Sequence, residues 1–134
     1  MRTLSKELGW KAELPNGAQG NDTLDGGTGM DQFVFDTTLN AATNVDTIQG
    51  FVVADDTIRM ENAVFTVLAA PGTLAAGQFV VGASALDADD FVIYDSASGD
   101  LFYDADGALS GVSQIRFAHI DPDLLLTNND FLNI

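Results

Sequence analysis

The chain has 134 residues, of which 46% are hydrophobic, and this suits one folded domain and argues against wholesale disorder. It holds 20 acidic residues against 5 basic ones, so its formal net charge is −15 at pH 7. Such a body repels nucleic acid and anionic membrane surfaces and attracts cations. Cysteine is absent, which excludes a disulfide framework and a thiolate metal site.

The acidic residues are almost all of one kind, with 17 Asp and 3 Glu. Glu would be favoured on an acidic helical surface because it is the better helix former. Asp is typical of turns and metal-binding loops, where a short side chain reaches a nearby backbone group or ion. The alternative is an acidic, solvated surface on a loop-rich protein.

Residues 1–15 are predicted to be a junction segment that differs in composition from the rest of the chain. Leu4 and Leu8 lie among charged residues and allow a short helix, which Pro15-Asn16-Gly17 would end. The segment lacks the apolar run of about 7–15 residues that a Sec signal peptide needs. No run in the sequence approaches the ~18 apolar residues of a membrane span.

Residues 16–36 contain an internal repeat with a nine-residue step. The first unit reads GAQGNDTLD and begins at Gly17, and the second reads GGTGMDQFV and begins at Gly26. The glycines permit tight curvature and bring backbone carbonyls close to a cation, and the aspartate of each unit, Asp22 or Asp31, adds a carboxylate. Calcium accepts about 6–8 oxygen ligands in flexible geometry. The repeat therefore predicts a Ca²⁺ site.

Beyond residue 32 the sequence alternates between polar and apolar residues, as half-buried strands do. The predicted strands lie at 32–35, 46–51, 56–60, 78–81, 91–94, 101–103, 113–118 and 131–134, with a hairpin loop at 96–99 and short helical turns near 61–68 and 74–76. The predicted fold is mainly β: a short parallel β-roll remnant in 16–36, followed by an antiparallel β-sandwich-like module in 37–134.

The repeat GAQGNDTLDGGTGMDQFVFD, from Gly17 to Asp36, resembles the haemolysin-type calcium-binding repeats of the RTX (repeats-in-toxin) family. The later stretches DTIQGFVVADDTIRM, FVVGASALDADDFVIYD and LFYDADG look like the segments that follow the repeats in many secreted bacterial members of this family. The likeness covers residues 16–134. It implies a parallel β-roll in which each calcium ion lies between one loop and the loop two units later.

The resemblance also implies which residues bind the metal. With only two repeat units, neither loop has an ordinary partner, so the nine-residue count is continued along the chain. This count places Asn40 opposite Asp22, and Gln49 opposite Asp31 with Asp46 nearby. The predicted calcium ligands are Gly17, Gln19, Gly20, Asp22, Gly26, Thr28, Gly29, Asp31, Asn40, Asp46 and Asp56. The alternative is a glycine-rich turn that binds calcium weakly or only when more repeats precede it.

Other candidate sites are weaker. Asp104-Ala105-Asp106-Gly107 matches part of an EF-hand loop, but Ser113 stands where the bidentate Glu is needed, so a turn is favoured. Asp87-Ala88-Asp89-Asp90 is interpreted as a solvated loop. His119 is the only histidine, and it has neither an H-E-x-x-H zinc motif nor a nucleophile elbow to accompany it. The chain is therefore predicted not to be an enzyme.

The last five residues, DFLNI, place an acid before apolar residues and resemble the uncleaved signal of type I secretion substrates. The predicted function is a secreted, extracellular calcium-binding RTX module that folds on binding calcium and meets the type I secretion apparatus during export. One alternative is an adhesion module with structural calcium that binds an extracellular polysaccharide or protein. Another is the detached C-terminal part of a larger secreted enzyme.

Overall fold

The computed structural model describes residues 3–5, 23–25, 32–35, 39, 42, 45–68, 71–107 and 113–134. The described residues form eleven strands in two sheets, which confirms the mainly β prediction. The strands are β1 (Thr3–Ser5), β2 (Thr23–Asp25), β3 (Gln32–Phe35), β4 (Asp46–Gln49), β5 (Thr57–Met60), β6 (Gly72–Thr73), β7 (Phe79–Val81), β8 (Val92–Asp95), β9 (Asp100–Tyr103), β10 (Ile115–His119) and β11 (Phe131–Asn133).

Strands β2 to β5 form a parallel coil, because successive strands alternate between the two sheets. β2 pairs in parallel with β4 in one sheet, and β3 pairs in parallel with β5 in the other. Leu24 is in register with Ile48, and Phe33 is in register with Ile58. The chain thus coils beyond the two recognisable repeat units and as far as residue 60.

The nine-residue count does not continue past the second repeat unit. Gln49 pairs with Asp25, so the prediction that Gln49 lies opposite Asp31 is wrong. The reason is the length of the connections: residues 36–45 and 50–56 link the later strands, and both stretches are longer than the 26–31 connection between β2 and β3. Register follows from strand pairing in the sheet and not from counting along the chain.

The C-terminal strands extend the same two sheets. The larger sheet has the order β1-β2-β4-β10-β9-β8-β7, and the smaller has the order β3-β5-β11-β6. β10 adds in parallel to β4 and β11 adds in parallel to β5, whereas β8, β9 and β10 are joined by antiparallel pairing. Both sheets are therefore mixed, which corrects the predicted antiparallel module, and their pairing continues across the proposed boundary at 36/37.

The core lies between the two sheets. Phe33, Ile58 and Phe131 share one register across the smaller sheet and are at most 1% exposed. Phe117 of the larger sheet packs edge-on against Phe35 and Phe65, with ring centroids 5.2 Å apart in both pairs. One aromatic cluster therefore joins the coil to the C-terminal strands.

The predicted strands all correspond to observed strands within a residue or two, but some details outside them differ. Thr3–Ser5 lies where a short helix was allowed for, and it is a strand because it pairs in parallel with β2. Residues 61–68 form successive turns, in agreement with the predicted short helical turns, and Phe65 N–H donates to the carbonyl of Glu61. A 3-10 turn occupies Ala76–Gln78, slightly later than predicted, and a second occupies Asn128–Asp130.

Candidate calcium loops and the aspartate turns

Most of the predicted calcium ligands lie outside the described residues. These are Gly17, Gln19, Gly20, Asp22, Gly26, Thr28, Gly29, Asp31 and Asn40. Asp46 and Asp56 are described, and both side chains belong to buried residues, at 4% and 3% exposure. The described part of the candidate calcium site therefore consists of these two aspartates and of the strands β4 and β5 beside them.

Asp46 and Asp56 hold equivalent positions in the coil. Asp46 begins β4, two residues before the buried Ile48, and Asp56 directly precedes β5, two residues before the buried Ile58. The sequence has the same spacing at the two earlier strands, where DTL ends at Leu24 and DQF ends at Phe33. An Asp-x-apolar triplet thus recurs at four successive strands. Sequence reasoning counted only two units because it required the glycines as well.

Asp56 also closes the turn that precedes β5. Its Oδ2 atom accepts a hydrogen bond from Val52 N–H at 2.8 Å, and its own N–H donates to the carbonyl of Val52 at 2.8 Å. Asp55 N–H donates to the same carbonyl at 3.0 Å. A short acidic side chain is suited to this arrangement because it reaches a backbone donor only four residues away.

A turn closed by an aspartate carboxylate also precedes two later strands, β8 and β11. Asp90 Oδ2 accepts from Leu86 N–H at 2.9 Å and from Asp87 N–H at 2.8 Å. Asp130 Oδ2 accepts from Thr127 N–H at 2.8 Å, and Thr127 Oγ1 accepts from Asn129 N–H at 3.2 Å, which completes a capping box. The excess of Asp over Glu therefore has a structural cause in these turns, besides any metal binding.

Burial changes the proton affinity of one of these carboxyls. Asp130 is 6% exposed, and desolvation by burial raises its pKa above the ordinary value, against the lowering effect of the hydrogen bond from Thr127 N–H. Burial therefore disfavours the charged form of Asp130, although the same carboxyl closes the turn.

The loop Asp104–Gly107, predicted to be a turn, is a turn. It packs against the loop Asp87–Asp90, which was predicted to be solvated but in which Asp90 is buried. Gly107 has a φ of 62°, and a Cβ there would lie 2.3 Å from the carbonyl oxygen of Ala88. Asp104 Oδ1 accepts from Asp106 N–H at 3.3 Å. Burial is the main cause that raises the pKa of Asp104, and the side-chain hydrogen bond with Asp106 raises it further. Their packing was not predicted, because nothing in either loop's sequence indicates the other.

Within the described ranges, no cluster of three or more His, Cys, Asp or Glu side chains is arranged to hold a metal ion. His119 lies beside Asp100, with Nδ1 2.9 Å from Oδ1, and Arg116 Nη1 lies 3.4 Å from the same oxygen. The pair arises from the β9–β10 register, in which His119 is opposite Asp100. No serine hydroxyl of the described residues is hydrogen-bonded to His119.

Comparison with models of protein families, with curated proteins and with solved structures finds no match to this chain. The likeness to RTX repeats therefore rests on the repeat residues themselves and stays a prediction. The helical segments in the described ranges are 3-10 turns of three residues, and none has the length or apolarity to cross a membrane.

Proposed function

We propose that this chain is a calcium-binding, extracellular RTX-type module that folds on binding calcium and carries a C-terminal type I secretion signal. The supporting observation is the Asp-x-apolar triplet that recurs at four successive strands of the parallel coil. In such a coil, equivalent loops stack above one another at each end of the strands. Acids at equivalent positions bring like charges together, which favours a bound cation.

The strand register suggests which loops share an ion. Thr23 pairs with Thr47, and the residues that precede them in the sequence are Asp22 and Asp46. We propose that these two carboxylates bind one calcium ion, together with the carbonyls of the first glycine loop at Gly17, Gln19 and Gly20.

The second site follows from the other sheet. Gln32 pairs with Thr57, and the preceding residues are Asp31 and Asp56. We propose that these carboxylates bind a second ion with the carbonyls of Gly26, Thr28 and Gly29. The choice of Asn40 as a ligand rested on the nine-residue count, and this count does not hold at Gln49.

The mechanism is coupled folding. Without calcium, the repulsion among aspartates and the ordering cost of the glycine loops oppose folding. Binding at a hundredfold excess of calcium over its dissociation constant adds about 2.7 kcal/mol to stability. This is a large share of a typical unfolding free energy of about 5–15 kcal/mol.

The position of the C-terminus supports the secretion part of the proposal. Within DFLNI, Phe131–Asn133 form β11, which pairs with β5 and β6, and Phe131 is 0% exposed. Ile134 N–H donates to the Met60 carbonyl at 2.9 Å, and Asn62 N–H donates to the Ile134 carbonyl at 2.8 Å. A signal held in this way is accessible only before folding, so a chain kept unfolded at low calcium would present it.

No observation specifically supports either alternative function. The exposed large apolar side chains of the described residues are aliphatic, namely Val52, Val67, Val81, Leu86 and Leu125. A polysaccharide-binding face would favour exposed aromatic rings, and the described surface offers no such platform. We propose that the chain itself has no catalytic activity and that any enzyme would be a partner or a further segment.

The test is a thermal melt in EDTA and in millimolar calcium, with calorimetric titration of the parent and of Asp22→Ala and Asp31→Ala. Asp55→Ala is the matched control because Asp55 is exposed and adjacent to Asp56. We expect calcium to raise the melting temperature of the parent and the control and to act less on the two variants. A melting curve that is the same in EDTA and in calcium would overturn the proposal.

A further inference from the structure

The two edge strands of the seven-stranded sheet are complementary. β1 lies at one edge and β7 at the other, and no described residue pairs with the outer side of either. We propose that copies of this chain associate head to tail, with β1 of one copy adding in parallel to β7 of the next. This proposal rests on the sheet edges and not on the proposed calcium sites.

The outer side of β7 offers backbone groups for pairing. Phe91 N–H donates to the Gln78 carbonyl at 3.1 Å, and Gly82 N–H donates to the Tyr94 carbonyl at 2.9 Å. Because backbone groups alternate along a parallel strand, Val81 directs its N–H and carbonyl away from β8. An edge strand with unpaired groups is a template for a further strand.

A cleft lined by leucines and polar residues lies beside this edge. It has a volume of about 290 Å³ and is lined by Val81, Ser96, Asp123, Leu124, Leu125 and Leu126. Leu125 is 85% exposed, and Val81, which belongs to the open strand itself, is 50% exposed. A strand added to β7 would cover part of this surface with its own apolar residue.

The rim of the cleft is acidic. Asp123 lines the cleft, and the Tyr94 hydroxyl donates to the neighbouring Asp121 carbonyl at 2.6 Å. Burial raises the pKa of this hydroxyl, and the negative charges of Asp123, Asp121 and Asp95 raise it as well. The described basic residues lie elsewhere: Arg59 donates to Gln32, and Arg116 is paired with Asp100. An occupant of this edge should therefore be cationic.

The sequence around β1, at the opposite edge, provides the positive charge. In the sequence, Arg2 and Lys6 flank β1, and residues 1–11 carry a charge of +2 whereas the remainder carries −17. Leu4 is in register with Leu24, which is in register with the buried Ile48. The sequence of β1 therefore combines a central apolar residue with flanking cations, which matches a cleft that has both leucine and aspartate in its lining.

The strand directions agree with this pairing. β1, β2, β4 and β10 are parallel, β8 is parallel to β10 through two antiparallel steps, and β7 is parallel to β8. β1 and β7 therefore run in the same direction, so a second copy can continue the sheet without reversal. Because the two surfaces differ, the contact is heterologous and leads to open chains or rings of copies, not to two-fold dimers.

The test is sedimentation velocity of the full chain across a range of concentrations, at fixed calcium. The Debye length is about 30 Å at 0.01 M salt and about 3 Å at 1 M, so we expect concentration-dependent oligomers at low salt that dissociate at high salt. Arg2→Glu/Lys6→Glu alters only the β1 edge. Asp121→Lys/Asp123→Asn alters only the β7 edge, and asparagine suits the φ of 61° at position 123.

Each double variant alone should associate at least about tenfold more weakly than the parent. An equimolar mixture of the two should recover dimers, because one chain retains an intact β1 edge and the other an intact β7 edge. Unchanged melting temperatures check that both variants fold. A parent that is monomeric at low salt, or that associates equally well with either edge altered, would overturn the proposal. So would association sensitive only to the β7 variant, which would indicate two-fold pairing of β7 or another cationic partner.

Discussion

Gly107 packs closely against Ala88 where two acidic turns meet. A Cβ on Gly107 would lie 2.3 Å from the carbonyl oxygen of Ala88 and 2.7 Å from that of Asp87. Alanine at position 107 would meet these backbone atoms and would also be strained at a φ of 62°. We expect Gly107→Ala to lower the free energy of unfolding by roughly 2–4 kcal/mol. Gly77→Ala is the control, because no atom lies within 4 Å of its Cβ position, and its effect should stay within about 0.5 kcal/mol. Urea denaturation measures both, and equal effects would contradict the packing of the two turns.

Asp104 should make the protein less stable at neutral pH than an uncharged side chain would. Its pKa is raised in the folded state, chiefly by burial. A carboxyl of this kind contributes stability below its unfolded pKa of about 3.9 and loses that contribution as the pH rises through its folded pKa. Asp104→Asn should therefore raise the unfolding free energy at pH 7 in EDTA. This gain should shrink as the pH falls towards 4.

Asp89→Asn is the control for that experiment, because Asp89 is exposed in the neighbouring loop. It should show no comparable gain that fades with acid. An Asp104→Asn variant less stable than the parent at pH 7 would show that the carboxylate is held by interactions stronger than its desolvation cost.

Asp56 should separate turn closure from calcium binding. Asp56→Ala removes the acceptor for Val52 N–H and should cost about 1–3 kcal/mol in EDTA, because a donor in the turn loses its partner. Asp56→Asn keeps a side-chain oxygen for this bond but lowers the charge available to calcium. We expect the Asn variant to melt near the parent in EDTA and to gain less than the parent when calcium is added. If the Asn variant gains as much as the parent, Asp56 serves the turn alone.

Ile58 should report whether the coil and the C-terminal strands unfold together. It is 0% exposed and lies in register between Phe33 of the coil and Phe131 of the last strand. Ile58→Ala should cost about 2–5 kcal/mol through lost burial and a residual cavity. Val52→Ala, at a position 45% exposed, should cost far less. Thermal unfolding followed by near-UV and far-UV circular dichroism should give one shared transition, and two separate transitions would indicate an independent coil.

Local features were predicted well because they depend on near neighbours in the chain. Alternation such as Asp-Thr-Ile before Arg59 and Met60 indicates a half-buried strand wherever it occurs, and the corresponding strand β5 buries Ile58 and Met60. The hairpin at Ser96–Gly99 was also local, since Gly99 has a φ of 87° in the turn between paired strands. The Asp-x-apolar triplets were present in the sequence, but their equivalence became visible only through the strand register.

The sequence by itself determined the mainly β class, the acidic turns and the strand positions, because side-chain period and turn chemistry act over a few residues. Only the tertiary structure decided that Gln49 pairs with Asp25, that β10 and β11 extend the coil, and that the Gly107 turn meets Ala88. These contacts join residues far apart in the chain, and their register depends on loop lengths and on which apolar faces are buried together. The proposed pairing of calcium ligands changed for the same reason: the nine-residue count sets Asn40 opposite Asp22, whereas the strand register, which pairs Thr23 with Thr47, favours Asp46 in that place.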